Sequence, residues 1–410
     1  MNKTPLLPVC AAVLAFGFVA CDAAPSRDAG SASPTPETIA AGESLVDVVR
    51  DRLVDILRDP DAYSKARRLG TLLPTLGPET LPAVRQILAD RSIDWRASEL
   101  ELLLRYWATF EPAEAALWAK KMSPPGYREP AVYTAIQTWA SADPKTAADA
   151  TWSWSVDIKG LERIVPIAIV RGWYASDQRD ELEAWIANVP PGIMRQRAIA
   201  AYILMLIQAE GSEAVMRWAE SVPEQPAGYK IAVFRRTVDA LSTLEPEAGM
   251  RWCDAHCDGP HGTNMRSIIG RNWVLHDGPA ALAWIQAEDP GVERDLAVHL
   301  TWALWSRNDL EAAMGWMAEQ EELGPVDWLE PAIPVYARLL SGEQPEKAIE
   351  WAKRIANERR RENIVIGVAR VWRYLDEAAA EAWLRDSELS DVAKERVRKP
   401  VEGDGPPMNF

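Results

Sequence analysis

The sequence lacks the short motifs that mark the familiar enzyme classes. It contains no phosphate-binding glycine loop, no G-x-S-x-G nucleophile elbow, no H-E-x-x-H zinc motif and no EF-hand loop. Each of these motifs places reactive groups at a spacing that its chemistry requires. Because none is present, we expect a non-catalytic protein that carries no cofactor.

The chain also has fewer basic than acidic residues. Its 410 residues include 45 Lys and Arg against 60 Asp and Glu, a formal net charge of −15. A general nucleic-acid binder, or a polybasic surface for membranes, needs an excess of Lys and Arg that meets phosphate groups. The composition therefore argues against nucleic acid as a partner.

Long apolar runs are scarce, and the main one lies at the start of the chain. Lys3 precedes an apolar stretch from Leu6 to Ala20, as in a secretory signal peptide. The run FVAC that ends at Cys21 resembles the lipobox of bacterial lipoproteins. That resemblance implies a signal peptide over residues 1–20, lipidation of Cys21 and stable attachment to a membrane. Simple secretion is the alternative. With the lipid anchor, the protein is expected in the cell envelope, anchored to a membrane and facing the periplasm or the exterior.

The segments at the two ends are predicted to lack a core of their own. After Cys21, residues 21–43 are almost all small, polar or proline, which is typical of a disordered tether. Residues 391–410 are predicted to form a C-terminal tail. Between these ends, TLLPTLGPETLPAVRQIL at Thr71 to Leu88 resembles a HEAT-type helix pair, which implies a helical cap over residues 44–105.

Tryptophan is the residue present in excess, with 19 copies against roughly a quarter to a third of that number at average composition. Nine of them recur at steps of 32 to 35 residues, a period of about 33. A second column of large apolar residues lies 11 to 13 positions before the first. The first column is Trp118, Trp152, Trp185, Trp218, Trp252, Trp284, Trp316, Trp351 and Trp383, and the second is Trp107, Trp139, Trp173, Leu206, Leu241, Trp273, Trp305, Leu340 and Trp372.

Acid–proline pairs recur between the two columns, as in Glu111-Pro112, Asp143-Pro144 and Glu245-Pro246. Proline is tolerated at the first position of a helix, and an acid before it caps the free amides. Each pair therefore predicts a helix start. Prolines such as Pro223 and Pro290 end that helix after about ten to twelve residues, and a second helix with the other column follows. Each unit is predicted to be a helical hairpin.

About nine such hairpins over residues 106–390 predict an all-α fold, a right-handed α-solenoid in which each unit buries its face against its neighbours. The period, the small-residue and aromatic pattern AALW that ends at Trp118, and the proline after it resemble the tetratricopeptide and Sel1-like repeats. That resemblance implies protein binding on a concave surface and no catalytic residues. The tryptophan columns are predicted to form the core.

The densest cluster of reactive side chains is CDAHCDGPH, which places Cys253, His256, Cys257 and His261 within nine residues. Two sulfurs and two imidazoles can form a tetrahedral zinc site. Cysteines four apart on a helix also lie within disulfide range, and an exported protein permits oxidation. Buried structural thiols, with Cys253 where other units have alanine, are the third interpretation. The sequence leaves all three open.

Two further sets of residues are tryptophans outside the columns and basic residues that recur in several units. Trp154, Trp302 and Trp328 lie outside the columns and are candidates for a platform that stacks on sugars, although core packing is favoured. A basic residue precedes the second column by eleven positions in five units, and we expect it to pair with an acid of the adjacent unit. These residues are Arg128, Arg195, Lys230, Arg294 and Arg361.

Two functions fit this organisation. The favoured one is an envelope-anchored adaptor, a scaffold that presents a long acidic surface to a protein partner. The alternative is a cell-wall glycan-binding protein or enzyme that uses a groove between helices. An enzyme of that kind would gather acids and aromatics in one unit, whereas here polar residues are spread over many units, which favours the scaffold.

Overall fold

The computed structural model describes residues 44–399 except 91, 122–124, 155–157 and 324–326. The predicted signal peptide, the lipidation site Cys21 and the tether lie outside the described residues, as does the end of the tail from 400 onwards. The all-α prediction is confirmed, since the described residues form 22 α-helices, four 3-10 helices and no strand. None of these helices is both long enough and apolar enough to cross a membrane.

The helices are numbered here in chain order. They are α1 Leu45–Leu57, α2 Ala62–Leu72, α3 Leu81–Ala89, α4 Ala97–Phe110, α5 Pro112–Lys121, α6 Arg128–Ala142, α7 Pro144–Thr151, α8 Leu161–Tyr174, α9 Arg179–Asn188, α10 Ile193–Glu210, α11 Ser212–Ser221, α12 Tyr229–Leu244, α13 Pro246–His256, α14 Met265–Trp273, α15 Gly278–Gln286, α16 Val292–Asn308, α17 Leu310–Leu323, α18 Ile333–Leu340, α19 Pro345–Lys353, α20 Glu358–Leu375, α21 Glu377–Asp386 and α22 Asp391–Arg398.

The chain divides into two compact units, Met1–Ile93 and Asp94–Phe410. In the first, α1 packs against α2 and α3 around Leu53 and Val84, both fully buried. Helix α4 spans the predicted boundary between the cap and the repeats at residues 105 and 106, and it packs on α5 and α6 of the second unit.

In the second unit, helices start where the acid–proline pairs predict them. Helices α5, α7 and α13 begin at Pro112, Pro144 and Pro246. The Asp143 carboxylate accepts a hydrogen bond from the Thr146 amide at 3.3 Å, which satisfies one of the amides that a helix start leaves free.

Two rows of helices alternate along this unit. The first row carries the Trp118 column and consists of α5, α7, α9, α11, α13, α15, α17, α19 and α21. The second row carries the Trp107 column and consists of α4, α6, α8, α10, α12, α14, α16, α18, α20 and the final α22. Consecutive second-row helices pack directly on one another, joined between α16 and α18 by the 3-10 helix Asp327–Ala332, and most first-row helices pack between two second-row helices.

Polar contacts between neighbouring hairpins repeat at one period of the sequence. Ser212 Oγ donates to Glu245 Oε2 at 2.8 Å, and Arg354 Nη2 donates to Glu321 Oε1 at 2.6 Å. The two residues of each pair are 33 positions apart. The same side-chain positions of consecutive hairpins therefore lie next to each other in space.

The tryptophans form the core of the second unit, as predicted, and none of the 19 is exposed. In five hairpins the tryptophan of the first row packs on that of the second, with ring centroids between 5.6 and 6.3 Å apart and planes tilted by 40–54°. Such tilted contacts are favourable for aromatic rings beyond the area they bury. The pairs are Trp107–Trp118, Trp173–Trp185, Trp273–Trp284, Trp305–Trp316 and Trp372–Trp383.

Where the second column has leucine, another aromatic of the same helix replaces the missing ring. Trp218 packs on Tyr202, Trp252 on Phe234 and Trp351 on Tyr336, with centroids 4.8 to 5.0 Å apart. Each substitute lies one or two helical turns before the leucine, on the same side of the helix. The aromatic contact between the rows is therefore kept even where the sequence column is interrupted.

The predicted C-terminal tail begins with a helix, which corrects the expectation for residues 391–398. Helix α22 packs on α20 and buries Ala393 and Val397. Its last residue, Arg398, donates to Glu381 Oε2 at 2.8 Å, and Arg373 donates to Glu381 Oε1 at 3.2 Å. The Arg398 hydrogen bond, together with the charges of Arg398 and Arg373, lowers the pKa of Glu381 against a smaller opposing effect of burial.

We expect Trp351→Ala to lower the free energy of unfolding by about 3–5 kcal/mol, because it removes a large side chain with no exposed surface and leaves a cavity. Chemical denaturation followed by circular dichroism measures the change. Tyr374→Ala is the matched control, since that ring is 52% exposed. A loss below about 1 kcal/mol for Trp351→Ala would show that the ring is not part of the core.

We expect Glu381→Gln to lower the thermal stability at neutral pH and to have little effect under acidic conditions. The pKa of Glu381 is lowered in the folded protein, so its contribution is present above the unfolded carboxyl pKa of about 4.3 and is lost as pH falls through the folded value. Thermal melts between neutral pH and about pH 3 measure this difference. Glu388→Gln, at an exposed position, is the control, and an equal effect of both variants would contradict the expectation.

Candidate functional site

The candidate site is built around the segment that follows helix α13. Cys253 lies on α13 and Cys257 directly after it, both buried, and a disulfide joins them with Cα atoms 4.7 Å apart. The loop then folds back over the end of the helix. Gly262 permits this approach, since a Cβ there would lie 2.0 Å from the carbonyl oxygen of Cys257. Asn264, in the left-handed region at φ 65°, leads into α14.

The disulfide leaves neither sulfur available as a metal ligand, because ligation requires a thiolate. Among the described residues there is no group of three or more His, Cys, Asp or Glu that could hold a metal ion. Of the three interpretations of Cys253 and Cys257, the structure contains the disulfide and lacks a ligand set for zinc.

Each histidine of the segment is held by a glutamate of the preceding hairpin. His256 Nε2 lies 3.1 Å from Glu220 Oε1, and His261 Nε2 lies 3.2 Å from Glu224 Oε1. The edges of both imidazoles meet the ring of Phe234, with centroids 5.1 and 5.2 Å away. These five side chains are called the histidine cluster below.

The histidine cluster, apart from Glu224, lines a cavity of about 250 Å³ together with Lys230. Burial opposes the ionisation of Glu224, but hydrogen bonds from Lys230 and His261 outweigh burial and lower the pKa of Glu224. His261 Nδ1 is buried and has no hydrogen-bond partner among the described residues.

The sequence analysis did not identify the two glutamates of this cluster. Glu220 and Glu224 precede their histidines by 36 and 37 residues, slightly more than one period. One period of 33 residues before the histidines lie Pro223 and Gly228, so the period alone does not point to these glutamates and only the packing of neighbouring hairpins brings them to the histidines.

Three of the five recurring basic residues reach backbone carbonyls, and among the described residues they make no ion pair with an acid of the adjacent unit. Arg195 Nε donates to the Val189 carbonyl at 2.5 Å, Arg361 Nη1 to the Ile355 carbonyl at 2.8 Å and Lys230 Nζ to the Glu220 carbonyl at 3.3 Å. These carbonyls lie at or just after the end of the first-row helix of the same hairpin. Carbonyls at the end of a helix lack partners within it and favour a positive charge, which explains the basic residue in these three hairpins.

Trp154, Trp302 and Trp328 do not form a common platform for sugars. Trp302 has no exposed surface and packs on Tyr336 at 5.7 Å, so neither face of its ring can meet a ligand. Trp154 is 9% exposed, and Lys120 Nζ lies 4.6 Å from its ring centroid. Trp328 is half-buried against the ring of Trp316.

Two other cavities occupy the same position in the repeat as the histidine cluster, between the end of a first-row helix and the start of the next second-row helix. One of about 350 Å³ adjoins Cys257, Arg266 and Glu293. The other, of about 740 Å³, adjoins Trp383, Asp386 and Glu358 near the C-terminal end of the second unit.

The chain matches no protein-family model, no curated protein and no solved structure at significant similarity. The resemblance to tetratricopeptide and Sel1-like repeats and to bacterial lipoproteins therefore stays a prediction from the sequence. Function has to be argued from the residues and their geometry.

We expect Cys253 and Cys257 to resist alkylation in the denatured, unreduced protein and to react fully after reduction. Mass spectrometry of the corresponding peptide measures both states. Treatment with a metal chelator is the control, because a thiolate–metal site would release its cysteines to the chelator without reduction. Alkylation of both residues before reduction would contradict the disulfide.

Proposed function

We propose that this protein is a non-catalytic scaffold of the bacterial cell envelope, which binds a protein partner along a stack of helical hairpins. The proposal includes the finer architecture, a right-handed α-solenoid of about nine hairpins with a period of about 33 residues. Contacts between side chains 33 positions apart support that stacking. Stacked hairpins offer an extended surface rather than a single deep pocket.

The observation that carries the proposal is the distribution of exposed apolar side chains. In the second unit most of the exposed large apolar residues belong to the second row of helices or directly follow one of them. Exposed apolar side chains that gather on one part of a surface mark a site of protein interaction. On the second row they are Phe110, Ile193, Leu204, Ile231, Leu244, Leu275, Val292, Tyr374, Leu375 and Val392, whereas Leu117 and Leu310 are those of the first row.

Three of these exposed residues recur at the same place in the repeat. Phe110, Leu244 and Leu375 each lie three positions after the second-column residue, where the second-row helix ends. Leu244 and Leu375 are more than half exposed, and Phe110, although it touches Tyr106 of its own helix, is 38% exposed. We infer that this edge of the second row meets a partner.

Attachment to the membrane is a further part of the proposal. It depends on the FVAC run that ends at Cys21 and on the predicted tether of residues 21–43, which would connect the lipid to the first unit.

Glycan binding is a second candidate function, and the 740 Å³ cavity near the C-terminal end favours it. Trp383 lies there with the carboxylates of Asp386, Glu358 and Glu362, which is the gathering of acids and an aromatic that a glycan site needs. Against this candidate, Trp383 is half-buried and already packs on Trp372.

Site-specific photo-crosslinking in intact cells tests the scaffold. A photoreactive amino acid is placed at Leu204 or Leu244 on the second row, and at Leu117 or Leu310 on the first row as controls of similar exposure. We expect covalent adducts with an envelope protein from the second-row positions only. Equal adducts from both rows, or copurification of cell-wall fragments without protein, would contradict the scaffold.

The same cells test the anchor. Cys21→Ser should move the protein from the membrane fraction to the soluble envelope fraction, since it removes the atom that would carry the lipid. Unchanged membrane association would exclude the lipid anchor and leave the crosslinking result unaffected.

A further inference from the structure

A cavity on the second row differs in charge from the rest of this acidic chain. It has a volume of about 310 Å³ and lies between helices α10, α12 and α14. Three arginines and a single acid line it: Arg235, Arg236, Arg271 and Asp239. The local excess of positive charge contrasts with the net charge of −15 of the whole chain.

The single acid of this cavity is already paired. Asp239 Oδ2 accepts from Arg236 Nη1 at 3.1 Å, and Asp239 Oδ1 accepts from Asn272 Nδ2 at 3.2 Å. Arg236 also donates to Gln196 Oε1 at 2.7 Å. Asp239 and Arg236 therefore neutralise each other and tie α10, α12 and α14 together.

The other two arginines have no carboxylate partner among the described residues. Arg235 is exposed on α12, and Arg271 is exposed on α14, where its Nε meets only the Ser267 carbonyl of its own helix, at 3.3 Å. Guanidinium groups bind carboxylates through two parallel hydrogen bonds. Two such groups are thus available to a ligand on adjacent helices.

An isoleucine accompanies each free arginine on the same face of its helix. Ile231 precedes Arg235 by four residues, and Ile268 precedes Arg271 by three, so each pair is adjacent on the helix surface. Both isoleucines line the cavity; Ile231 is 38% exposed, whereas Ile268 is buried at 7%. The cavity therefore has two arginines on adjacent helices and, about one helical turn from Arg235, one exposed apolar side chain, Ile231.

We propose that this cavity binds an extended acidic segment of a protein partner that crosses α12 and α14. Alternate side chains of an extended segment point in opposite directions, and those on one side repeat about every 7 Å. Packed helix axes are about 8–10 Å apart. The long arginine side chains can bridge the small difference between this separation and the repeat of the segment, about 7 Å. Carboxylates at alternate positions meet Arg235 and Arg271, and an apolar side chain next to them in the segment packs on the exposed Ile231.

Phosphate-rich polymers and anionic membranes fit this site less well. Phosphate-rich polymers offer no apolar group for Ile231, and the overall charge of −15 repels both a long polyanion and an anionic membrane surface. The inference rests on the proposed scaffold function and names the chemistry of its partner.

Fluorescence anisotropy on the purified full chain tests the cavity. The probe is a fluorescein-labelled peptide of alternating Glu and Leu, and the comparison peptide has Gln in place of Glu. We expect the Glu peptide to bind more tightly and to lose affinity as salt is raised, because exposed ion pairs are screened. The double variant R235E and R271E should weaken binding by about tenfold or more, since each exposed pair contributes up to roughly fivefold.

Arg217→Glu is the matched control, an exposed arginine on first-row helix α11, and should change the affinity by less than about twofold. Thermal melts establish that all variants fold. Equal binding of the Glu and Gln peptides, or unchanged binding by the double variant, would overturn the proposal. Displacement of the peptide by millimolar inorganic phosphate would also overturn it and assign the arginines to a small anion.

Crosslinking in cells separates this inference from the scaffold itself. If the double variant still captures the same envelope protein from Leu204, the scaffold stands and the arginine cavity is not its binding site. If no envelope protein is captured while arginine-dependent peptide binding persists, the cavity stands and the proposed envelope scaffold fails. Loss of capture in the double variant alone supports both.

Discussion

The contact between one aromatic ring of the first row and one of the second row is the interaction on which the second unit depends. It fixes the distance between rows in the eight hairpins where it is seen, and the similar geometry of Trp107–Trp118 and Trp372–Trp383 shows this at the two ends. Neighbouring residues are small where the ring contact leaves no room for a side chain. Gly278 begins α15 because a Cβ there would lie 2.3 Å from the ring of Trp305.

This constraint leaves the outer surfaces of the hairpins free to differ. Core positions are occupied once per period, whereas the loops and exposed faces carry distinct side chains in each unit. The histidine cluster and the arginine cavity are two results of that freedom, since both use residues from neighbouring hairpins that the core holds in place. Glu220 is held against His256 in this way, and Asp239 against Asn272. Binding sites are therefore expected where neighbouring hairpins meet.

Helix ends explain a second set of regular positions. Acids such as Asp143 satisfy free amides at the start of a first-row helix, and basic residues such as Arg195 and Arg361 satisfy free carbonyls at its end. The sequence pattern located these basic residues correctly. It assigned them the wrong partner, because spacing along the chain does not distinguish a carboxylate of the next hairpin from a carbonyl a few residues away.

The sequence by itself determined the helical class, several helix starts and the tryptophan columns of the core, because period, proline and tryptophan positions follow from rules that act within a helix or between adjacent helices. Only the tertiary structure decided what distant residues do together. The pairing of His256 with Glu220 and the common cavity of Arg235 and Arg271 depend on loop paths and on the packing of several helices. Such arrangements have no local signature, since their energy comes from contacts between segments separated by one period or more.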